Sequence, residues 1–293
     1  MDNTKLSDVR QKIDMIDTKI HDLLMQRAET VDDVIQAKKR ETPTESHADI
    51  EIYRPAREAE ILKNLLKRHH GALPLCVIIG LWRSLLSAFC NMQADFSIAY
   101  FGSNESDSLR DAIRYYFGSM LKLKKAGTEL SVLHTVSSKD ATLGILPVNN
   151  VDIVNEWWLR LPKGVYVSGV LPFVKNDITV TTRNDYMIVS HSKPVATDDD
   201  KSLFKISGNP DIGRISVINC FGELQQTARS VSIFDSKDLS QRFHLIEVDG
   251  FFDETTIPDF SKKLKNTSKG KILDIDYLGS YPAPINLEDY QKK

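Results

Sequence analysis

A chain of 293 residues has room for two or three small domains, each with its own core. Its composition, 41% hydrophobic and 27% charged with a formal charge of -2, gives no support for nucleic acid or a membrane surface as the main partner. Three cysteines, Cys76, Cys90 and Cys220, form no close pair and no CxxC. They read as buried thiols in a reducing compartment, which argues against a disulfide frame or a zinc site. The polar N-terminus lacks a signal-peptide apolar region, so the cytoplasm is the expected setting. The longest apolar run, Leu73 to Trp82, contains Pro74 and Gly80 and is too short to span a bilayer.

The first 94 residues read as all-helical. Leu6, Val9, Ile13, Ile16, Ile20, Leu23, Leu24, Val31, Val34 and Ile35 recur at helical intervals, which predicts one helix to about Arg40 with Ser7 as its cap. A helix this long without an internal stop suggests a partner to pack against. The polar stretch Glu41–Ile52 reads as a loop. Pro55 suits the first turn of a second helix to about His69, and a third is expected from Leu75 to Gln93.

From Phe96 the pattern is α/β. Strands are expected at Phe96–Phe101, Leu143–Val148, Val165–Val174 and Ile178–Val189, with a helix near Leu109–Leu121. After the acidic linker Asp198–Asp200 comes a β-α-β-β-α-β order. Its strands are near Leu203–Ile206, Val231–Phe234, Phe243–Val248 and Ile272–Leu278, with helices near Ile212–Leu224 and Ile257–Leu264. That is a ferredoxin-like unit. The expected fold class is multidomain α and α+β, divided at residues 1–94, 95–195 and 196–293.

Three cations mark the first helix: Arg10, Arg27 and Lys38. Arg27 interrupts the apolar stripe. The step from Arg27 to Lys38 returns to nearly the same face with Cα atoms roughly 16 Å apart, so both side chains can converge on one small anion. Arg10 lies roughly 25 Å from Arg27 along the axis. It reaches that anion only if a second copy of the helix runs antiparallel, which predicts a dimer with shared cationic pockets. Arg57 and Glu58 start the second helix and Gln93 ends the third. Cations, one carboxylate and one amide suit the holding of a small dianion and stabilisation of charge developing on an oxygen. They form no nucleophile–base array for hydrolysis.

These residues resemble the all-helical chorismate mutases over roughly residues 5–94. The carriers are Val9-Arg10-Gln11-Lys12-Ile13-Asp14-Met15-Ile16-Asp17, Leu23-Leu24-Met25-Gln26-Arg27, Ala37-Lys38, Arg54-Pro55-Ala56-Arg57-Glu58 and Gln93. The resemblance implies a homodimer that rearranges chorismate to prephenate with no cofactor and no metal. By position, Arg27 and the Arg10 of the second copy clamp the two carboxylates. Lys38 and Gln93 donate to the ether oxygen, Glu58 accepts from the ring hydroxyl, and Arg57 supports the polar end. Gln93 donates at every pH, so acidic conditions are not required. Phe89 stands where the family usually has a small hydroxyl residue.

Residues 96–190 resemble a shortened prephenate dehydratase, through Ile98-Ala99-Tyr100-Phe101-Gly102, Gly144-Ile145-Leu146-Pro147-Val148-Asn149-Asn150 and Ser168-Gly169-Val170-Leu171-Pro172. The family's catalytic Thr-Arg-Phe aligns with Asn184-Asp185-Tyr186, with Thr182-Arg183 just upstream. The Gly-Pro-x-Gly-Thr loop becomes Gly102-Ser103-Asn104-Glu105-Ser106. Half the usual cleft is missing, which implies an inactive lobe. Residues 198–286 resemble the ACT-type amino-acid-binding domain, with Leu278-Gly279-Ser280-Tyr281-Pro282 as the clearest match and both ligand-binding segments altered. The leading expectation is thus a mutase with an inactive dehydratase-like tail. The alternatives are a non-catalytic binding protein of the same pathway and a bifunctional mutase/dehydratase.

Overall fold

The computed structural model describes residues 6–41, 51–101, 106–148, 156–175 and 185–290. Helix α1 spans Leu6–Glu41, α2 Pro55–Arg68 and α3 Leu75–Gln93, as the periodicity predicts. Ser7 lies inside the first turn of α1 and donates to Asp8, so the expected capping role is not what it does. Helix α2 buries Ala59, Leu62 and Leu66, one face at helical spacing, and α3 buries Ile79, Arg83, Ser87 and Cys90 along another. Helix α3 is long and apolar enough, by length and composition, to cross a membrane. The expectation drawn from the Leu73–Trp82 run understated it. In the structure it packs instead on α1, α2 and a fourth helix, α4 (Ser106–Phe117).

A five-stranded sheet follows, built from β1 (Ser97–Phe101), β2 (Lys122–Ala126), β3 (Leu143–Pro147), β4 (Tyr166–Leu171) and β6 (Tyr186–Ser190). The short strand β5 (Val174–Lys175) lies outside it. The sheet order is β2-β1-β3-β6-β4, parallel among the first three and antiparallel after. Strand β2 and helix α5 (Glu129–Ser137) were not expected from the sequence. The expected strand Val165–Val174 divides at Pro172, and residues 178–184 of the expected strand Ile178–Val189 lie outside the described residues.

The period-two alternation of these strands explains why the sheet is buried on both faces. Ile98, Tyr100, Ile145 and Ile188 face the helical side, in one core with Leu62, Ile79, Ile113 and Tyr116. Ala99, Leu146, Met187 and Val189 face the other way, with Val132, Val136, Trp157 and Trp158.

The C-terminal unit runs β7 (Asp200–Gly208), α6 (Arg214–Glu223), β8 (Ala228–Asp235), β9 (Arg242–Asp249), α7 (Ile257–Thr267) and β10 (Ile272–Pro282). Its sheet order, β10-β7-β9-β8, is fully antiparallel, which is the ferredoxin-like arrangement. Asp200 belongs to β7 and accepts from Thr197, so the acidic linker is shorter than expected. One face of this sheet covers α6 and α7 through Phe204, Ile206, Ile246 and Val248. Its other face, through Leu203, Leu245, Leu278 and Tyr281, joins the second core of the five-stranded sheet. Strand β11 (Ile285–Asn286) then pairs with β5, and Ile285 and Leu287 enter the first core. The cores therefore cross the borders drawn at residues 95 and 196.

Gly279 holds the two sheets together. Its φ of +144° and the position of the Val167 backbone leave no room for a Cβ. Gly279→Val is expected to destabilise the chain by more than about 3 kcal/mol, read as a lowered midpoint in chemical denaturation. A midpoint equal to that of the parent would mean the β10–β4 contact is not tight.

Candidate active site

Lys38 sits where α1 passes the end of α3 and the residues that lead into α2. Its side chain is buried, and Nζ donates to Gln93 Oε1 at 2.7 Å and to the carbonyl oxygen of Glu51 at 2.7 Å. Gln93 in turn donates through Nε2 to the carbonyl of Phe89, 3.2 Å away. Each amide nitrogen carries two protons, so Gln93 keeps one donor for another acceptor. Burial, followed by the nearby Arg54 charge, holds the Lys38 ammonium below the ordinary lysine range.

Arg27 lies on the same helix. Its guanidinium carbon stands 4.6 Å from the centroid of the Phe89 ring, and Nη1 donates to Thr30 at 3.0 Å. The departure at position 89 thus acquires a physical role, because an aromatic face beneath an arginine fixes the plane of its fork. Cys90, one residue on, is a buried thiol pushed up to about 12, first by burial and then by the Glu58 carboxylate; Lys38 and Arg27 pull the other way. Charges from α1 and α2 thus converge on one stretch of α3.

The remaining expected residues stand elsewhere. Arg10 is exposed on α1. Arg57 is exposed and paired with Glu60 at 2.6 Å. Glu58 turns inward, its Oε2 3.3 Å from Nη1 of Arg83. Burial pushes the Glu58 carboxyl up to about 7 against the attraction of Arg83. Arg83 was not among the expected site residues. Its sequence signal is that it is the one charge within the apolar helix Leu75–Gln93, and a buried charge in such a setting requires a partner.

The Lys38–Gln93–Arg27 group can hold an anion and donate to an oxygen that gains charge, with the cation as the working form of Lys38. Deprotonation would remove that donor. Because the Lys38 pKa is lowered, activity should fall on the alkaline side at a lower pH than an ordinary lysine would impose. Arg54→Gln removes one lowering charge and should move this limb to higher pH, measured as kcat across pH. An alkaline limb that does not move would separate Arg54 from Lys38.

Lys38, Gln93 and Arg27 thus stand on two helices packed against each other, and residues 9–94 match the family described as chorismate mutase type II. The match lies within the three-helix segment and covers under a third of the chain. Over 149 residues the chain is 27% identical to the bifunctional chorismate mutase/prephenate dehydratase of Pseudomonas aeruginosa, covering 51% of this chain and 40% of that protein. The corresponding Aquifex aeolicus protein is 28% identical over 150 residues, 50% of this chain and 39% of that one. The chain thus spans about two fifths of the length of these relatives. Among solved structures, prephenate dehydratase from Streptococcus mutans aligns with a TM-score of 0.44 at 14% identity, over 66% of this chain and 100% of the other.

Proposed function

We propose that this chain is a chorismate mutase that converts chorismate to prephenate in aromatic amino-acid biosynthesis. The observation that carries the reading is the buried Lys38 ammonium held against Gln93, beside Arg27 on the Phe89 ring, within a segment of the mutase family. The reaction is unimolecular and needs no covalent catalyst. A site that fixes the two carboxylates and donates to the breaking ether oxygen supplies what it requires. In this reading Arg27 and the second copy's Arg10 take the carboxylates, and Lys38 and the free Gln93 donor take the ether oxygen. Arg57 and Glu58 belong to the same site, and Glu58 swings from Arg83 to meet the ring hydroxyl.

The reading includes a homodimer in the cytoplasm, with no cofactor, nucleic acid or membrane partner. Support for the dimer is the apolar stripe on α1, where Val9, Ile13, Ile16, Ile20 and Leu23 are 42–63% exposed in the single chain. Such a continuous patch on a helix is suited to burial against a partner. The proposed division is a mutase domain at 1–94, a dehydratase-like lobe without activity at 95–195, and an ACT-like domain at 196–293. The altered loop at 102–105, Asn149-Asn150 and Thr182-Arg183-Asn184 lie outside the described residues. Phe89, buried in place of a small hydroxyl residue, favours a second reading in which the site binds chorismate-like anions without turnover.

The test is to incubate purified protein with chorismate at neutral pH and identify the product. Prephenate is expected. Phenylpyruvate formed by the protein itself would restore the dehydratase reading. Tight binding of a bicyclic transition-state analogue without turnover would select the binding-protein reading.

A further inference from the structure

A cavity of about 350 Å³ lies where the start of α2 meets β4, residues 192–195 and the end of β10. It borders the helical site, since its wall includes Arg57 and Glu51, whose carbonyl accepts from Lys38. A recess of about 20 Å³ adjoins it, sharing Pro55, Ser168 and Pro282 as walls, and reaches Glu58 and Arg83. That recess has space for one oxygen-sized group.

Arg83 is the feature that calls for a ligand. Its side chain is 7% exposed, and its guanidinium carbon stands over the rings of Phe173 and Tyr116, at 4.9 and 5.4 Å from their centroids. Nη1 meets Glu58, but the buried Nε has no hydrogen-bond partner among the described residues. Aromatic faces attract the cation but supply no acceptor in the plane of its N–H groups. A buried donor of this kind is costly until an acceptor reaches it.

The charges agree. Arg54, Lys193 and Arg83 line the two spaces against Glu51 and Glu58, with Arg57 already paired to Glu60, leaving one positive charge in excess. The other walls combine the apolar Pro55, Ala56, Pro194, Val195 and Pro282 with Ser168, Ser192 and Ser280. Val195 is 62% exposed at this position.

We propose that this junction binds a small carboxylate with an apolar body. The carboxylate points into the recess toward Arg83, and the apolar part lies against the prolines and Val195. The proposal rests on Arg83, Lys193 and Val195, which the mutase reading does not use, and Arg57 and Glu58 are the residues that the two sites share.

The experiment is calorimetric titration of the full chain with phenylacetate and with the uncharged analogue 2-phenylethanol. Phenylacetate is expected to saturate one site per chain, with the alcohol at least about tenfold weaker. Lys193→Glu combined with Val195→Trp should weaken phenylacetate at least about tenfold. Both side chains are exposed, so the melting curve should not move; if it does, Lys193→Glu alone serves, with a smaller loss of the same sign. Arg27→Ala should retain phenylacetate binding, which separates this site from the helical one. Three results would overturn the proposal: no saturation below about 10 mM, equal binding of the alcohol, or binding lost in Arg27→Ala and kept in the double variant.

Discussion

Lys38→Ala is expected to lower kcat for chorismate by about a thousandfold or more. The ammonium is buried and already aimed at Gln93, so its charge acts where water screens it little. Its removal withdraws a preorganised donor from the oxygen that gains charge in the transition state. KM should change less than kcat, since the clamp on the carboxylates is left in place. Lys38→Arg keeps the charge but cannot fit the same compact contact, and should recover only part of the loss. Steady-state kinetics on folded variants would check both. A Lys38→Ala enzyme within about tenfold of the parent would remove Lys38 from the catalytic group.

The second large effect concerns assembly. Replacing Ile13 and Ile20 on α1 by aspartate should leave a folded monomer with at most about a hundredth of the activity. Both side chains are about half exposed in the single chain, at 51% and 49%, so the polar replacements cost the monomer little. In a dimer the same positions would be buried, and two unpaired carboxylates per chain at an apolar seam cost several kcal/mol. Sedimentation velocity with activity measured on the same samples reads both consequences. A variant that stays dimeric, or a monomer that stays active, would contradict the shared site.

The helical segment was legible because long apolar repeats leave few alternatives: α2 begins at Pro55, and α3 runs from Leu75 to Gln93 as read. Strand β2 was not, because Lys122-Leu123-Lys124-Lys125-Ala126 sits at the sheet edge, where lysines displace the usual alternation. Helix α5 was missed because nine residues hold too few turns to show a period. The Arg27 and Lys38 spacing pointed to one side of a helix, and both side chains do contact α3. Spacing along a chain does not say which way a side chain turns once other elements pack against it. Glu58 is the example: its inward turn depends on Arg83, 25 positions away in sequence. The shared cores escaped for a related reason. A strand's alternation reveals that both faces are covered, but not that the far face of β1 and β3 is closed partly by a sheet beginning at Asp200.

The central claim is a chorismate mutase site completed across two copies, and mixing two inactive variants tests it most directly. Arg10→Ala and Lys38→Ala, each expected to be inactive alone, are unfolded together and refolded as an equimolar mixture. Half of the dimers would then carry one variant of each kind, with one intact site and one doubly altered site. Chorismate turnover should return to about a quarter of the wild-type value. A mixture no more active than either variant, with mixed dimers demonstrated and the parent chain active, would contradict a site shared between copies.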